Sequence, residues 1–295
     1  MRLRQGYVRS QDGTRIAYQA IGKGRPIFCC NGLGVPSYFW RHLAGYFANR
    51  YQVVTWSYRG HGRSDTPLEL FQVRYEDFVA DSCAVIEALD LRRIIGVGHS
   101  AGFQVLLGCY DKHPKRFAGL SSFLGTAGNA LRFFFDWPFS RALFDLHYLL
   151  AVFFPRQVRL MTELLVRSPI PYYVGGWLNI LTTGLAHKAD IQKYLDHIAA
   201  MDPRFFATMT QGAEAHSAYR ILGKVRVPTL CIASEHDRFV PLRIARAMHR
   251  ALSKRSGSKG RAELFVITRG THAALMEMPD VLNLRLEQFL TRHKL

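Results

Sequence analysis

Apolar positions along this chain change their period repeatedly, and each change marks an element. Short runs of continuous or alternating apolar residues stand at 5–10 (QGYVRS), 14–22 (TRIAYQAIG), 25–32 (RPIFCCNG) and 52–58 (QVVTWSY). Four more follow at 93–98 (RIIGVG), 117–125 (FAGLSSFLG), 227–234 (VPTLCIAS) and 262–268 (AELFVIT). Runs of this length, bounded by turn-forming residues, predict strands. The first two flank Gln11-Asp12-Gly13 and predict an opening hairpin. Elsewhere apolar residues recur every three to four positions, as on one helix face. Phe39, Leu43, Tyr46 and Phe47 do so within 37–49, and Phe78, Val79, Cys83, Ile86 and Leu89 within 75–91. Further helices are expected at 101–113, 241–252 and 280–293. Strands alternating with helices predict an α/β protein with a mostly parallel, eight-stranded sheet flanked by helices.

The alternation stops after residue 126. From there the chain reads as helical and aromatic, interrupted by prolines at 138, 155, 169 and 171. Residues 1–126 and 200–295 are therefore expected to form the core domain, with 127–199 an inserted helical cap. Nine aromatic residues fall between Phe133 and Phe154, more than one helix packing on a core requires. Most are expected to pack against one another and the main domain. Their density also fits an apolar acyl-binding tunnel, or a lid face touching a lipid interface with Arg132, Arg141, Arg156 and Arg159 near anionic headgroups.

Composition narrows the classes. The 48% hydrophobic and 21% charged residues of this 295-residue chain are those of a soluble globular protein. No uninterrupted apolar run is long enough to span a membrane. The N-terminus is basic but lacks an apolar stretch behind it, so a secretory signal is not expected and a cytoplasmic location is. Cys29, Cys30, Cys83, Cys109 and Cys231 have neither metal-ligand nor redox spacing and are expected to be buried thiols. The net charge of +17 raises anionic partners as a question. The basic residues are spread along the chain, and their densest run, SKRSGSKGR (253–261), reads as a loop. No nucleic-acid-binding motif accompanies them, so a solvated basic surface is expected and a nucleic-acid partner is not.

One stretch carries chemistry. Gly98-His99-Ser100-Ala101-Gly102 stands between an expected strand and an expected helix, the context that gives G-x-S-x-G its meaning. A serine at such a corner is held in a strained backbone conformation, and a side chain two residues to either side would strike neighbouring backbone. A serine hydroxyl needs an imidazole to take its proton and a carboxylate to fix the imidazole's tautomer. Of twelve histidines, His272 follows the last expected strand and so returns to the same sheet edge. His99 adjoins the serine, but neighbouring side chains diverge at a turn; His216 and His236 stand in loop or helix-end settings. Asp237, just after strand TLCIAS, is the expected acid, with Glu235 its nearest rival and a helix-capping role its alternative. The backbone N–H groups of Leu33, in the loop Asn31-Gly32-Leu33-Gly34, and of Ala101 are the expected oxyanion donors.

These residues together resemble the α/β-hydrolase superfamily, over roughly 1–126 and 200–295. The order Ser100, Asp237, His272 is similar to that family's own, as are YRGHGRSD (58–65) and VPTLCIASEHDRFVP. Two positions depart from it: Asn31-Gly32 stands where the family often has His-Gly, and Phe103 where many members have a further glycine. The resemblance implies a capped α/β-hydrolase fold and a serine hydrolase needing neither cofactor nor metal. Serine rather than aspartate at the elbow argues against haloalkane dehalogenase and epoxide hydrolase activity. The activity expected is esterase- or lipase-like cleavage of small-molecule or lipid-like esters with apolar acyl groups. C–C bond hydrolysis, thioester hydrolysis, acyl transfer or perhydrolysis on the same triad, and a non-catalytic ligand-binding member of the fold, stay open. Peripheral contact with an anionic membrane stays open too.

Overall fold

A computed structural model of the chain describes residues 3–129, 131–132, 134–255 and 262–295; Phe133 and residues 256–261 of the basic run lie outside the described residues. The strands are β1 (Leu3–Arg9), β2 (Arg15–Ile21), β3 (Pro26–Cys30), β4 (Gln52–Trp56), β5 (Ile94–His99), β6 (Phe117–Phe123), β7 (Thr229–Ser234) and β8 (Ala262–Ile267). They form one sheet in the order β1-β2-β4-β3-β5-β6-β7-β8. β1 and β2 make the expected antiparallel hairpin and β2 lies antiparallel to β4, while every other pairing is parallel.

Every residue of β3, β5 and β7 is buried. Strands covered on both faces have no solvent side to mark with polar residues, which is why they read as continuous apolar runs. Successive residues serve opposite faces. Phe28, Val54 and Trp56 join one core with Phe78, Leu106 and Met248. Ile27, Val53 and Ile95 join the other with Leu43, Phe47 and Phe289. Helices α1 (Arg41–Phe47), α2 (Tyr75–Ala88) and α3 (Gly102–Lys112) supply much of that cover. The helix expected over 37–49 is a 3-10 turn, Ser37–Trp40, running into α1.

Between β6 and β7 stand α4 (Ser140–Phe153), α5 (Pro155–Val166), α6 (Ile170–Trp177), α7 (Lys188–Ala200), α8 (Pro203–Ala215) and α9 (Tyr219–Leu222). The last two occupy a stretch for which the apolar pattern predicts no element. α10 (Leu242–Arg255), α11 (Ala274–Glu277) and α12 (Pro279–Arg292) complete the chain. Among the described residues no helix is long and apolar enough to cross a membrane.

The aromatic stretch divides in two. Phe134 stacks on Phe239, in the loop after β7, at 4.1 Å and meets Phe144 edge-on, as expected for packing against the rest of the fold. Phe139 and Phe153, by contrast, are 76% and 69% exposed. The basic residues divide likewise: Arg132 pairs with Glu214 and Arg141 with Asp145. All five cysteines are buried and free, and the fold brings Cys83 and Cys109 to 3.1 Å although 26 residues separate them.

Candidate active site

Sheet order decides where the site falls. The chain moves outward from β3 to β4 and then crosses back to β5 on the other side of β3. Loops leaving the carboxyl ends of β3 and β5 therefore part and leave a crevice between them. Leu33 follows β3 and Ser100 follows β5, so both face that crevice.

Ser100 has φ 53°, a left-handed conformation that costs a non-glycine residue energy and turns its side chain out of the corner. Both flanking glycines are sterically required. A Cβ on Gly98 would lie 2.6 Å from the Phe103 Cα, and one on Gly102 only 2.2 Å from the Asn31 carbonyl oxygen. The expected collision with neighbouring backbone is thus present on both sides, and Phe103 is packed into the corner itself, fully buried.

His272 lies in the loop after β8 and Asp237 in the loop after β7. The imidazole Nε2 is 3.0 Å from Ser100 Oγ, and Nδ1 is 2.8 Å from Asp237 Oδ2. A carboxylate can only accept, so Nδ1 carries the proton and Nε2 is left to accept the serine hydroxyl. Asp237 is itself held: its Oδ1 accepts the N–H groups of Phe239 and Val240, each at 2.8 Å. It therefore caps the following turn and orients the histidine at once. Its rival Glu235 is exposed and accepts the Arg269 N–H at 3.2 Å.

The other histidines stand elsewhere. His216 stacks on Tyr75, with Nδ1 3.0 Å from Gln104 Oε1, and His236 is exposed. His99 is buried with neither ring nitrogen hydrogen-bonded; burial, then the nearby His272, hold it down to about 3, so it stays neutral.

Among the described residues the N–H groups of Leu33 and Ala101 donate to no protein acceptor, which leaves both available at the corner. Ala101 immediately precedes α3, where the helix dipole adds partial positive charge. The Leu33 loop is fastened by Asn31, whose side chain accepts the Trp40 indole N–H at 2.5 Å and donates to the Trp56 carbonyl at 2.9 Å. The asparagine therefore holds the loop at the position where the family often has His-Gly.

Several contributors carry no signal of their own in the sequence. Tyr58 donates its hydroxyl to the Asn31 carbonyl at 2.6 Å, and Tyr75 donates to the Ala101 carbonyl at 2.5 Å. Glu277 accepts from Thr271, the neighbour of His272, and from the N–H of Thr182 in the inserted segment. Each links positions far apart in the chain without a fixed spacing, so no local pattern announces them.

Ser100 and His272 open into a cavity of about 460 Å³, the size of a small-molecule site. Its wall includes Val35, Phe239 and Met276 from the segments that follow β3, β7 and β8, and Phe144, Val174 and Leu195 from the helices between β6 and β7. No Asp, Glu, Lys or Arg lines it among the described residues. Nor is there, among those residues, a cluster of three or more His, Cys, Asp or Glu placed to hold a metal ion.

A sequence model of the alpha/beta hydrolase family matches residues 27–284. The non-heme haloperoxidase of Rhodococcus erythropolis is 37% identical over 101 residues, 32% of this chain and about a third (35%) of that relative's length. Among solved structures, a bromoperoxidase from Bacillus anthracis superposes with a TM-score of 0.78 at 18% identity, covering 98% of this chain and 100% of that one. An esterase from Exiguobacterium antarcticum does so with a TM-score of 0.76 at 16% identity, over 98% and 100%.

Proposed function

The chain belongs to the alpha/beta hydrolase family, and from that premise we propose that it is a serine hydrolase cleaving carboxylic esters with apolar acyl groups through an acyl-enzyme. The observation that carries this reading is a Ser-His-Asp constellation at hydrogen-bond distance opening into a cavity that no Asp, Glu, Lys or Arg lines among the described residues. An ionised substrate group there would lose its hydration with nothing to pair it, whereas an alkyl chain gains about 25 cal/mol for each Å² removed from water.

In the proposed reaction Ser100 Oγ attacks the ester carbonyl carbon while His272 Nε2 takes the hydroxyl proton. Asp237 holds the resulting imidazolium through Nδ1. The oxyanion takes the N–H groups of Leu33 and Ala101, which act only as the charge develops. Collapse breaks the bond to the alcohol oxygen, which leaves with the proton from His272. Water then adds to the acyl carbon and gives its proton to His272; collapse breaks the bond to Ser100 Oγ, which takes that proton back as the carboxylic acid departs. The inserted helices, residues 127–199 with α8 beside them, serve as a cap that closes the acyl side of the cavity.

The test is a series of p-nitrophenyl esters from acetate to octanoate. The proposal predicts that kcat/KM rises with acyl length over this range; a flat or falling series would remove the apolar acyl group from the account. A second acceptor is favoured by one observation, the likeness to a non-heme haloperoxidase. Hydrogen peroxide in place of water would release a peracid from the same acyl-enzyme, and peracid formation from p-nitrophenyl acetate and peroxide tests for it.

A further inference from the structure

We propose that the outer face of α4–α6 docks on an anionic lipid bilayer. The inference goes beyond ester hydrolysis and stands on the surface itself. Three consecutive helices, α4 touching α5 and α5 touching α6, each turn an apolar stripe to solvent. On α4 the stripe is Leu143, Leu146, Leu150 and Phe153, at intervals of three and four residues, all exposed. Leu160, Met161 and Leu164 repeat it on α5, and Ile170, Tyr173 and Trp177 on α6. Trp177 is 81% exposed, a large cost in water for a side chain of that area. A helix folded only onto its own core buries such a stripe, and exposed apolar stripes on three helices in contact mark an interaction surface.

Charge selects the occupant. α5 carries Arg156 and Arg159 against the single acid Glu163. Both arginines, and Arg167 just after the helix, are exposed and make no ion pair among the described residues. Lys188 adds a cation at the same edge, donating to the Tyr173 hydroxyl at 2.9 Å with its ammonium 4.8 Å above the ring. Apolar and aromatic side chains fringed by unpaired cations are what an interface of acyl chains and anionic headgroups takes up. A second copy of this chain fits less well. A two-fold contact sets the same cation-fringed patch against itself and so gathers like charge into one interface.

The face is also continuous with the cavity. Pro171, Val174 and Gly175 of α6 line the cavity, and Val174 is at the same time 43% exposed. One short helix thus separates the outer surface from the acyl site. Entry of an acyl chain from a bilayer past α6 follows, and that step alone rests on the proposed hydrolase reading.

Flotation of the full chain with vesicles tests the docking independently of any turnover. Ether-linked phosphatidylcholine vesicles, with and without ether-linked phosphatidylglycerol, offer no ester to cleave. The wild type is expected to float with the anionic vesicles and to partition at least tenfold less onto the neutral ones, with binding lost as salt rises. Arg156→Glu with Arg159→Glu is expected to lower anionic partitioning by on the order of a hundredfold. Leu160→Ser with Leu164→Ser is expected to lower it as well, each variant keeping the wild-type circular dichroism spectrum and thermal midpoint. No flotation, or equal flotation with both vesicle types, would overturn the proposal. So would a lipid-free dimer, seen by light scattering, that Leu160→Ser with Leu164→Ser turns into a monomer, since the face would then serve self-association.

Discussion

Glu277 holds Thr271 from both carboxylate oxygens, with Oγ1 at 3.0 and 2.9 Å. The same Oγ1 accepts the Ala273 N–H at 3.1 Å, so the residues on either side of His272 are fixed to one buried anchor. Glu277 also accepts the Thr182 N–H at 2.5 Å, which ties the inserted segment to that anchor. Burial pushes its carboxyl above the ordinary range, while these hydrogen bonds pull it back. Glu277→Ala frees the His272 loop, and a misplacement near 1 Å costs about a hundredfold in rate. The expected outcome is a kcat lower by about tenfold to a hundredfold on a short-chain ester with KM little changed. An unchanged kcat would reduce Glu277 to a purely structural tie.

Substitution of the two glycines by alanine separates close approach from mere helix propensity. At Gly102 the new methyl meets the Asn31 and Cys30 carbonyl oxygens at 2.2 and 2.5 Å, so the Leu33 loop must move. Gly102→Ala is expected to cost about 1–3 kcal/mol of stability and, by shifting an oxyanion donor, on the order of a hundredfold in kcat. Gly45, inside α1, has nothing within 4 Å of its Cβ position. Gly45→Ala is expected to leave activity intact and to stabilise by about 0.5–1 kcal/mol. Urea midpoints with parallel ester assays check both.

Acid pH loads two buried imidazoles. Burial holds His61 down to about 3, as it does His99, against an ordinary value of 6.5. Between those values the unfolded chain binds the proton and the folded one does not, so stability falls as pH falls from 6.5 towards 3. Each histidine contributes about 1.4 kcal/mol per pH unit across that window. His61 keeps one hydrogen bond, Nδ1 to the Arg59 carbonyl at 2.9 Å, which fixes the neutral ring. Urea denaturation at a series of pH values is expected to show stability falling in this direction, and His61→Asn to remove the His61 contribution. A variant with the wild-type slope would mean that His61 titrates normally in the fold.

The eight strands and the Ser100, Asp237 and His272 constellation were legible because each rests on a local pattern. A buried parallel strand leaves a continuous apolar run, and the elbow leaves two glycines that Phe103 and Asn31 make necessary. The anchoring side chains were not legible. Glu277 meets Thr182 across 95 residues, and Tyr58 meets the Asn31 carbonyl across 27, so their partners exist only after folding. The aromatic stretch was legible in kind but not in division: period alone does not tell Phe134, stacked on Phe239, from Phe153, which faces solvent. Pairing of charges was hidden for the same reason. Arg132 and Arg141 meet acids, while Arg156 and Arg159, equally basic in the sequence, meet none among the described residues.

Covalent capture by a fluorophosphonate tests the central claim most directly, because the reagent phosphonylates a serine only where a base activates it and an oxyanion site receives the developing charge. Peptide mass mapping of the labelled wild type is expected to place one adduct on Ser100, with labelling abolished in Ser100→Ala and strongly reduced in His272→Ala. A folded wild type that takes no label, or takes it at another serine, would contradict the account.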